Sequence, residues 1–133
     1  MSLFVDTSVW SLALRRDATP DAPEVRELRR ALEAGETLVT TGLVLQELLQ
    51  GFSGPRSREL IIERLSVLPF LAPDRGDHIA AAEVRNSCRR AGVQMQTIDA
   101  LIAHLCMRYD LKLLTCDGDF RQAARIHPLK VWE

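Results

Sequence analysis

Apolar positions along the chain fall into two alternating patterns, short unbroken runs and longer stretches at helical spacing. Leu3-Phe4-Val5 is an unbroken run that stops at Asp6, and Thr7 or Ser8 then offers an N-cap for a helix through Val9, Trp10, Ala13 and Leu14. A turn-like stretch from Arg16 to Ala22 follows. Pro23 suits a first helical position, Val25, Leu28 and Leu32 recur at helical spacing, and Gly35 is the stop. Thr37 to Thr41, rich in β-branched residues, predicts a second strand, and the Leu-rich segment Gly42–Gly51 predicts a helix ended by Gly51. Phe52 to Arg58, with Gly54-Pro55, reads as a loop before a helix from about Glu59 to Leu65. Val67 to Leu71 is apolar, but Pro69 restricts it to an edge strand.

The second half repeats the alternation. A longer helix opens at Asp74 or Asp77, carries Ile79, Ala80, Glu83, Val84 and Ala91, and stops at Gly92. Thr97 opens another through Ile98, Leu101, Ile102, Leu105 and Tyr109. Leu111 to Thr115 predicts a strand, Asp117 to Ile126 a short helix, and Leu129 to Trp132 a final strand. Strands alternating with helices imply an α/β layer fold with a mostly parallel sheet.

Composition narrows the class without changing that picture. At 133 residues, 47% hydrophobic and 26% charged, the chain is expected to form a single soluble domain over 1–133. No apolar run approaches the ~20 residues of a membrane span, and Asp6 interrupts the N-terminus too early for a signal peptide, so a cytoplasmic location is expected. Cys88, Cys106 and Cys116 form no CxxC pair and are expected to be reduced. The net charge of −1 covers 15 arginines against only Lys112 and Lys130 among the bases, and by itself neither favours nor excludes a nucleic-acid partner.

Candidate chemistry lies in the acids. In open parallel sheets, ligands bind beyond the carboxyl ends of the strands, where Asp6 and Asp117 fall, with Asp119 two residues further on. Asp99 opens a helix beside its apolar stripe, a place that helix-dipole complementation alone would explain. Glu47 lies mid-helix among Val44, Leu45, Leu48 and Leu49, or on a narrow polar strip with Gln46 and Gln50. Converging without a basic neighbour, such carboxylates would repel one another and resist ionisation, whereas one or two hard divalent cations would turn that penalty into binding. Oxygen ligands select magnesium or manganese, and such sites assist phosphoryl chemistry. Spacing alone does not bring Asp6, Glu47, Asp99 and Asp117 together; only the fold can.

The order of the segments is more specific than any one of them. Phe4-Val5-Asp6-Thr7-Ser8-Val9-Trp10, Leu45-Gln46-Glu47-Leu48-Leu49-Gln50-Gly51, Asp99-Ala100-Leu101-Ile102-Ala103 and Leu114-Thr115-Cys116-Asp117-Gly118-Asp119-Phe120 together resemble PIN-domain ribonucleases, specifically toxins of the VapC type. The resemblance runs from Leu3 to about Val131. It implies a three-layer α/β/α fold in which Asp6, Glu47, Asp99 and Asp117 form an acidic pocket for magnesium or manganese, and endonucleolytic cleavage of RNA by an activated water. On that basis Asp6 and Asp99 contact the metal most directly, Asp117 supports it or a second ion, and Glu47 orients or deprotonates the water. Asp119 matches the second acid of a D-x-D-F pattern or caps the following helix, and Ser8 and Thr115 are candidate hydroxyls that orient carboxylates. The resemblance further implies a homodimer and a VapB-type antitoxin whose tail lies over the acidic groove.

The chain departs from that pattern at His104, where many relatives carry a small residue, and at Cys116 and Gly118 around Asp117. His104 lies roughly 140° around the helix from Asp99 and reads as a packing or surface residue; His78 and His127 lack metal-ligand companions. The pairs Arg26/Arg30, Arg85/Arg89 and Arg121/Arg125 are each spaced i, i+4, and solvation or pairing with acids such as Glu83 is the ordinary expectation for them. Trp10 and Trp132 are expected in the core. Two alternatives stand beside the nuclease. A magnesium-dependent phosphatase would need a D-x-D-x-T pattern, which Thr7-Ser8 after Asp6 does not supply, and a non-catalytic PIN-like module that binds RNA or protein would have no need of acids at every pocket position.

Overall fold

In a computed structural model, residues 2–15 and 22–133 are described; the turn-like stretch from Arg16 lies outside them except for Ala22. Strand β1 (Leu3–Val5) leads into α1 (Thr7–Leu14), and α2 (Pro23–Glu33) precedes β2 (Leu38–Thr41). Helices α3 (Gly42–Gly51) and α4 (Pro55–Ser66) follow, then β3 (Phe70–Leu71), α5 (Arg75–Arg90), α6 (Thr97–Arg108), β4 (Lys112–Leu114) and α7 (Gly118–Ala123). The four strands form one sheet in the order β3-β2-β1-β4, and every pairing is parallel. Leu3 registers with Leu38 on one side and Lys112 on the other.

That order sets the layers. From β1 the chain steps outward to β2 and β3, then returns across the sheet to β4. Parallel crossovers are right-handed, so reversing the direction of travel moves the connecting helices to the opposite face. Packing agrees: α1 contacts α2 and α3, α3 contacts α4, and α5 pairs extensively with α6, which also touches β4. The result is the expected α/β/α sandwich. Its centre is fully buried, with Phe4, Val5, Val9, Leu48, Ile102, Leu113, Leu114 and Phe120 all withdrawn from solvent. No helix among the described residues is long and apolar enough to cross a membrane.

Local signals explain most boundaries. Pro23 occupies the first turn of α2, and Gly35, at φ +70°, lets the chain leave that helix as the Glu36 amide reaches back to the Ala31 carbonyl. Gly92, at φ +80°, does the same after α5, where the Val93 amide donates to the Cys88 carbonyl at 2.8 Å. Both candidate starts of α5 are used together: the Asp77 amide donates to Asp74 Oδ1 and the Asp74 amide to Asp77 Oδ2, each at 2.9 Å, a reciprocal capping box.

The N-cap of α1 is Asp6 rather than Thr7 or Ser8, because the helix already starts at Thr7, and three larger differences from expectation stand beside it. Helix α4 begins at Pro55 rather than about Glu59, because Pro55 takes the first turn, where its missing N–H costs nothing, and the Arg58 amide bonds the Gly54 carbonyl. The Gly-Pro pair therefore starts a helix instead of filling a loop. Helix α7 ends at Ala123 rather than at Ile126. The expected last strand reduces to a single parallel bridge, Leu113 with Val131, since only Leu113 exchanges bonds with it, its amide to the Lys130 carbonyl and its carbonyl from the Trp132 amide. Pro69, as predicted, confines its segment to the edge strand β3.

Candidate active site

The strand order reverses at β1, so the carboxyl ends of β1 and β4 flank the crevice where an open parallel sheet binds ligands. Asp6 leaves β1 with its amide bonded to the Leu114 carbonyl at 2.9 Å, and takes the N-cap position of α1 without using its side chain as a cap. Its carboxylate, 6% exposed, turns inward instead. Oδ2 accepts from Ser8 Oγ at 2.7 Å and from Thr115 Oγ1 at 2.8 Å. Both hydroxyl hydrogens thus fall on one oxygen, which leaves the 3.4 Å contact between Ser8 and Thr115 without a proton of its own. The two hydroxyls also accept, Ser8 from the Cys116 amide at 3.1 Å and Thr115 from the Asp117 amide at 3.0 Å. Asp6 is in this way locked to the segment that carries Asp117.

The other acids arrive from separate elements. Thr41 ends β2 and caps α3, accepting from the Leu43 and Val44 amides, which fixes the helix that carries Glu47. Glu47 is half-buried whereas Gln46 and Gln50 are exposed; Thr7 donates to its Oε1 at 2.8 Å. Thr7 is the residue that sequence reasoning missed, since the pattern marks it only as a cap; its position directly after Asp6 is the available signal. Asp117 caps α7 through Oδ1, which accepts from the Asp119 amide at 2.9 Å. Asp119 itself caps nothing among the described residues and faces the same space.

Asp6, Glu47, Asp99, Asp117 and Asp119 all line one cavity of about 420 Å³ with Thr7 and Ser8, and no arginine, lysine, histidine or cysteine joins that lining. Asp99 registers the crowding. Burial first, then the charges of Asp6, Asp117, Glu47 and Asp119, push its carboxyl up to about 7. Helix-dipole complementation acts the other way and is outweighed. Beneath the cavity, the buried Cys106 thiol is likewise pushed up, by burial and then by Asp6, and is inert as a nucleophile. No three of these carboxylates are gathered tightly enough to hold an ion as they stand, among the described residues. The chemistry of the donor set nevertheless fits a hard divalent cation: oxygen donors only, an excess of negative charge, and one acid whose carboxyl is raised by burial and by its acidic neighbours.

A family model for the PIN domain matches residues 3–126. The chain belongs to the PIN-domain family. Among curated PIN-domain relatives, Ribonuclease VapC11 of Mycobacterium tuberculosis and a VapC ribonuclease of Mycobacterium bovis are each 31% identical to it over 130 residues, covering 96% of both chains. The PIN fold recurs in solved structures. VapBC2 from Rickettsia felis, bound to a promoter DNA fragment, aligns over 100% of both chains with a TM-score of 0.75 at 19% identity. Mycobacterium tuberculosis VapC20, described as a Sarcin-Ricin loop cleaving toxin, aligns over 91% of this chain and 94% of that one, with a TM-score of 0.68 at 21% identity.

The remaining candidates fall outside this PIN-domain cavity. His104 packs between helices, its Nε2 2.8 Å from Asp77 Oδ1, as a packing role requires. His127 pairs with Ser87 at 2.7 Å and His78 is exposed. Trp10 is 4% exposed and Trp132 packs against the core. Arg85 bonds a backbone carbonyl rather than Glu83.

Proposed function

We propose that the protein is a metal-dependent endoribonuclease, the toxin of a type II toxin–antitoxin pair, which hydrolyses RNA phosphodiester bonds. The observation that carries this reading is the convergence of five carboxylates from four separate segments, Asp117 and Asp119 sharing the start of α7, on one cavity without a basic partner. Such an arrangement costs stability and is retained where a cation is bound. The VapC ribonucleases among the relatives supply the substrate class. Oxygen donors without sulfur or imidazole favour magnesium or manganese. When bound, the ion lowers the pKa of a water and offsets charge on the phosphate.

The chain's own residues then divide the work. Asp6, with Oδ2 held by two hydroxyls, has its other oxygen outside those bonds, and it and Asp99 would hold the metal most directly. Asp117, steadied through Oδ1 by the Asp119 amide, supports that ion or a second. Glu47, with Oε1 fixed by Thr7, keeps Oε2 to orient the attacking water and accept its proton. The VapBC complex among the structural relatives supports a VapB-type antitoxin as partner; a homodimer as the working unit, a cytoplasmic location and one PIN domain over residues 1–133 complete the proposal.

The test is cleavage of a panel of structured and single-stranded RNAs by the purified chain, freed of any co-purifying partner, in manganese, magnesium or chelator. Metal-dependent cleavage lost in both Asp6→Asn and Asp99→Asn is the expected result. Equal cutting by wild type and variants overturns the assignment.

A further inference from the structure

A cavity lined by acids repels the backbone it has to bind, so a nucleic-acid strand needs cationic anchors beside it. The acidic cavity adjoins a second one of about 300 Å³, and the two share Gln96, Thr97 and Asp119. The second in turn shares Arg85, Gln94 and Met95 with a third, of about 250 Å³, which adds Arg89. Three adjoining cavities thus reach from the carboxylates to two arginines.

Arg85 and Arg89 stand one turn apart on α5 and face the same side. Arg85 Nε donates to the Met95 carbonyl at 3.0 Å, which ties the guanidinium to the turn between α5 and α6 and leaves its terminal nitrogens available. Arg89 Nη2 donates to Asn86 Oδ1 at 2.8 Å, a neutral acceptor. Neither charge is neutralised by a carboxylate among the described residues. Arg30 and Arg108 differ, being engaged by Glu27 and Glu36 and by Asp74 and Asp77. A guanidinium pinned by one edge, with its fork free, suits bidentate contact with a phosphate.

We infer that Arg85 and Arg89 form a phosphate-binding track that carries the RNA strand out of the acidic cavity along the α5–α6 turn. The inference rests on the ribonuclease function proposed above. Gln94, Gln96 and Thr97 line the path between the two ends and offer neutral donors to phosphate and ribose oxygens.

The experiment measures binding of a labelled single-stranded RNA in chelator across a salt series, and cleavage of the same RNA in manganese, for wild type, Arg89→Gln, the Arg85→Gln/Arg89→Gln double variant and Arg64→Gln. Arg64 lies on α4 and lines none of these three cavities. Removing each phosphate-binding guanidinium should reduce the slope of log Kd against log salt by about 0.7 and the double variant should bind about tenfold more weakly, with Arg64→Gln unchanged. Melting curves check folding, and Arg89→Gln, which breaks only the bond to Asn86, decides the matter if loss of the Met95 bond unfolds the double variant. Unchanged slope and affinity in Arg89→Gln and in any folded double variant overturn the track, while cleavage lost in Asp6→Asn would still uphold the nuclease. Arginine-dependent binding of RNA that is never cut upholds the track and overturns the nuclease. Wild type that neither binds RNA in chelator nor cuts it in manganese overturns both, cleavage without such binding overturns the track alone, and variants that keep RNA but lose an acidic peptide such as oligoglutamate make the groove a protein site and overturn the track.

Discussion

Asp77 and Asp99 occupy the same place on two helices that pack together, each the third residue of its helix, yet their surroundings drive their carboxyl groups in opposite directions. Asp77, 2% exposed, accepts from the Asp74 amide, from Arg108 Nη1 at 2.8 Å and from His104 Nε2 at 2.8 Å. The Asp74 amide first, then Arg108 and His104, hold its carboxyl well below the usual carboxylate range against the opposing effect of burial. Asp99 has no capping partner, and burial first, then the charges of Asp6, Asp117, Glu47 and Asp119, push it up to about 7. The helix dipole contributes about 0.3–1 kcal/mol in favour of either anion, so it does not distinguish them. Neighbours do. An acid surrounded by donors builds the fold, whereas an acid surrounded by acids is kept at a cost to stability.

The sharpest separation of the two comes from removing each charge. Asp99→Asn is expected to lower RNA cleavage by a hundredfold or more, about the upper end of what losing a partner of a metal ligand costs, while the thermal midpoint holds or rises as repulsion is relieved. Cleavage kinetics in manganese and a melt in chelator check both halves. Asp77→Ala should do the reverse. It destabilises by about 2 kcal/mol, the upper end for a lost N-terminal cap. The ion pair adds little, because Arg108, with its side chain 43% exposed, turns to solvent. Cleavage per folded molecule stays intact, and an Asp77→Ala protein that folds but does not cut would break the comparison.

These two acids also mark what is legible in the sequence. Asp99 is visible because it belongs to an ordered set of segments, and Asp6, Glu47 and Asp117 stand out for the same reason. Their convergence is not visible, because it depends on β1 lying between β2 and β4, a long-range fact that no local spacing carries. Asp77 shows in the sequence only as one of two helix starts. The buried face of α5 is Asp77, Ala81, Val84 and Cys88, while Ile79 is 57% exposed, so for Asp77 and Ile79 hydrophobicity points the wrong way, to the apolar residue as core and the acid as surface. Leu32 misleads in the same manner, since α2 buries Val25, Leu28 and Ala31 and leaves it 49% exposed. A hydrophobic side chain at the edge of a helical stripe is not thereby inside.

The hydroxyls around Asp6 sharpen the comparison from the active-site side. Asp77 is held by a guanidinium, an imidazole and an amide, Asp6 only by neutral donors, which orient its carboxylate without cancelling its charge. Thr115→Ala removes a bond to Asp6 and the acceptor for the Asp117 amide together, so it should lower cleavage about 10–100-fold. Ser8→Ala should cost less, since Thr115 still holds Oδ2. A fall in apparent manganese affinity that accompanies the loss of rate would place the effect in orientation of the carboxylates, whereas a fall in melting temperature with unchanged rate would place it in the fold.

The effect most specific to the contrast is in the dependence of stability on pH. A carboxyl raised in the folded state binds its proton more tightly there than in the unfolded chain. The contribution from Asp99 is therefore complete below its ordinary value of 3.8 and is lost as pH rises through about 7. Asp77 has the opposite sign: its contribution is present above 3.8 and is lost as pH falls through its depressed folded value. Denaturant midpoints in chelator should accordingly decline from about pH 4 to about pH 7, with Asp99→Asn flattening that limb. Asp77→Ala should flatten only the limb below pH 4. A saturating divalent cation should reverse the sign of the first slope, because it competes with the Asp99 proton and binds better as that proton leaves. If the slope between pH 4 and 7 survives in Asp99→Asn, the shared repulsion among the acids is distributed elsewhere in the cavity, and the contrast drawn between these two helix starts fails.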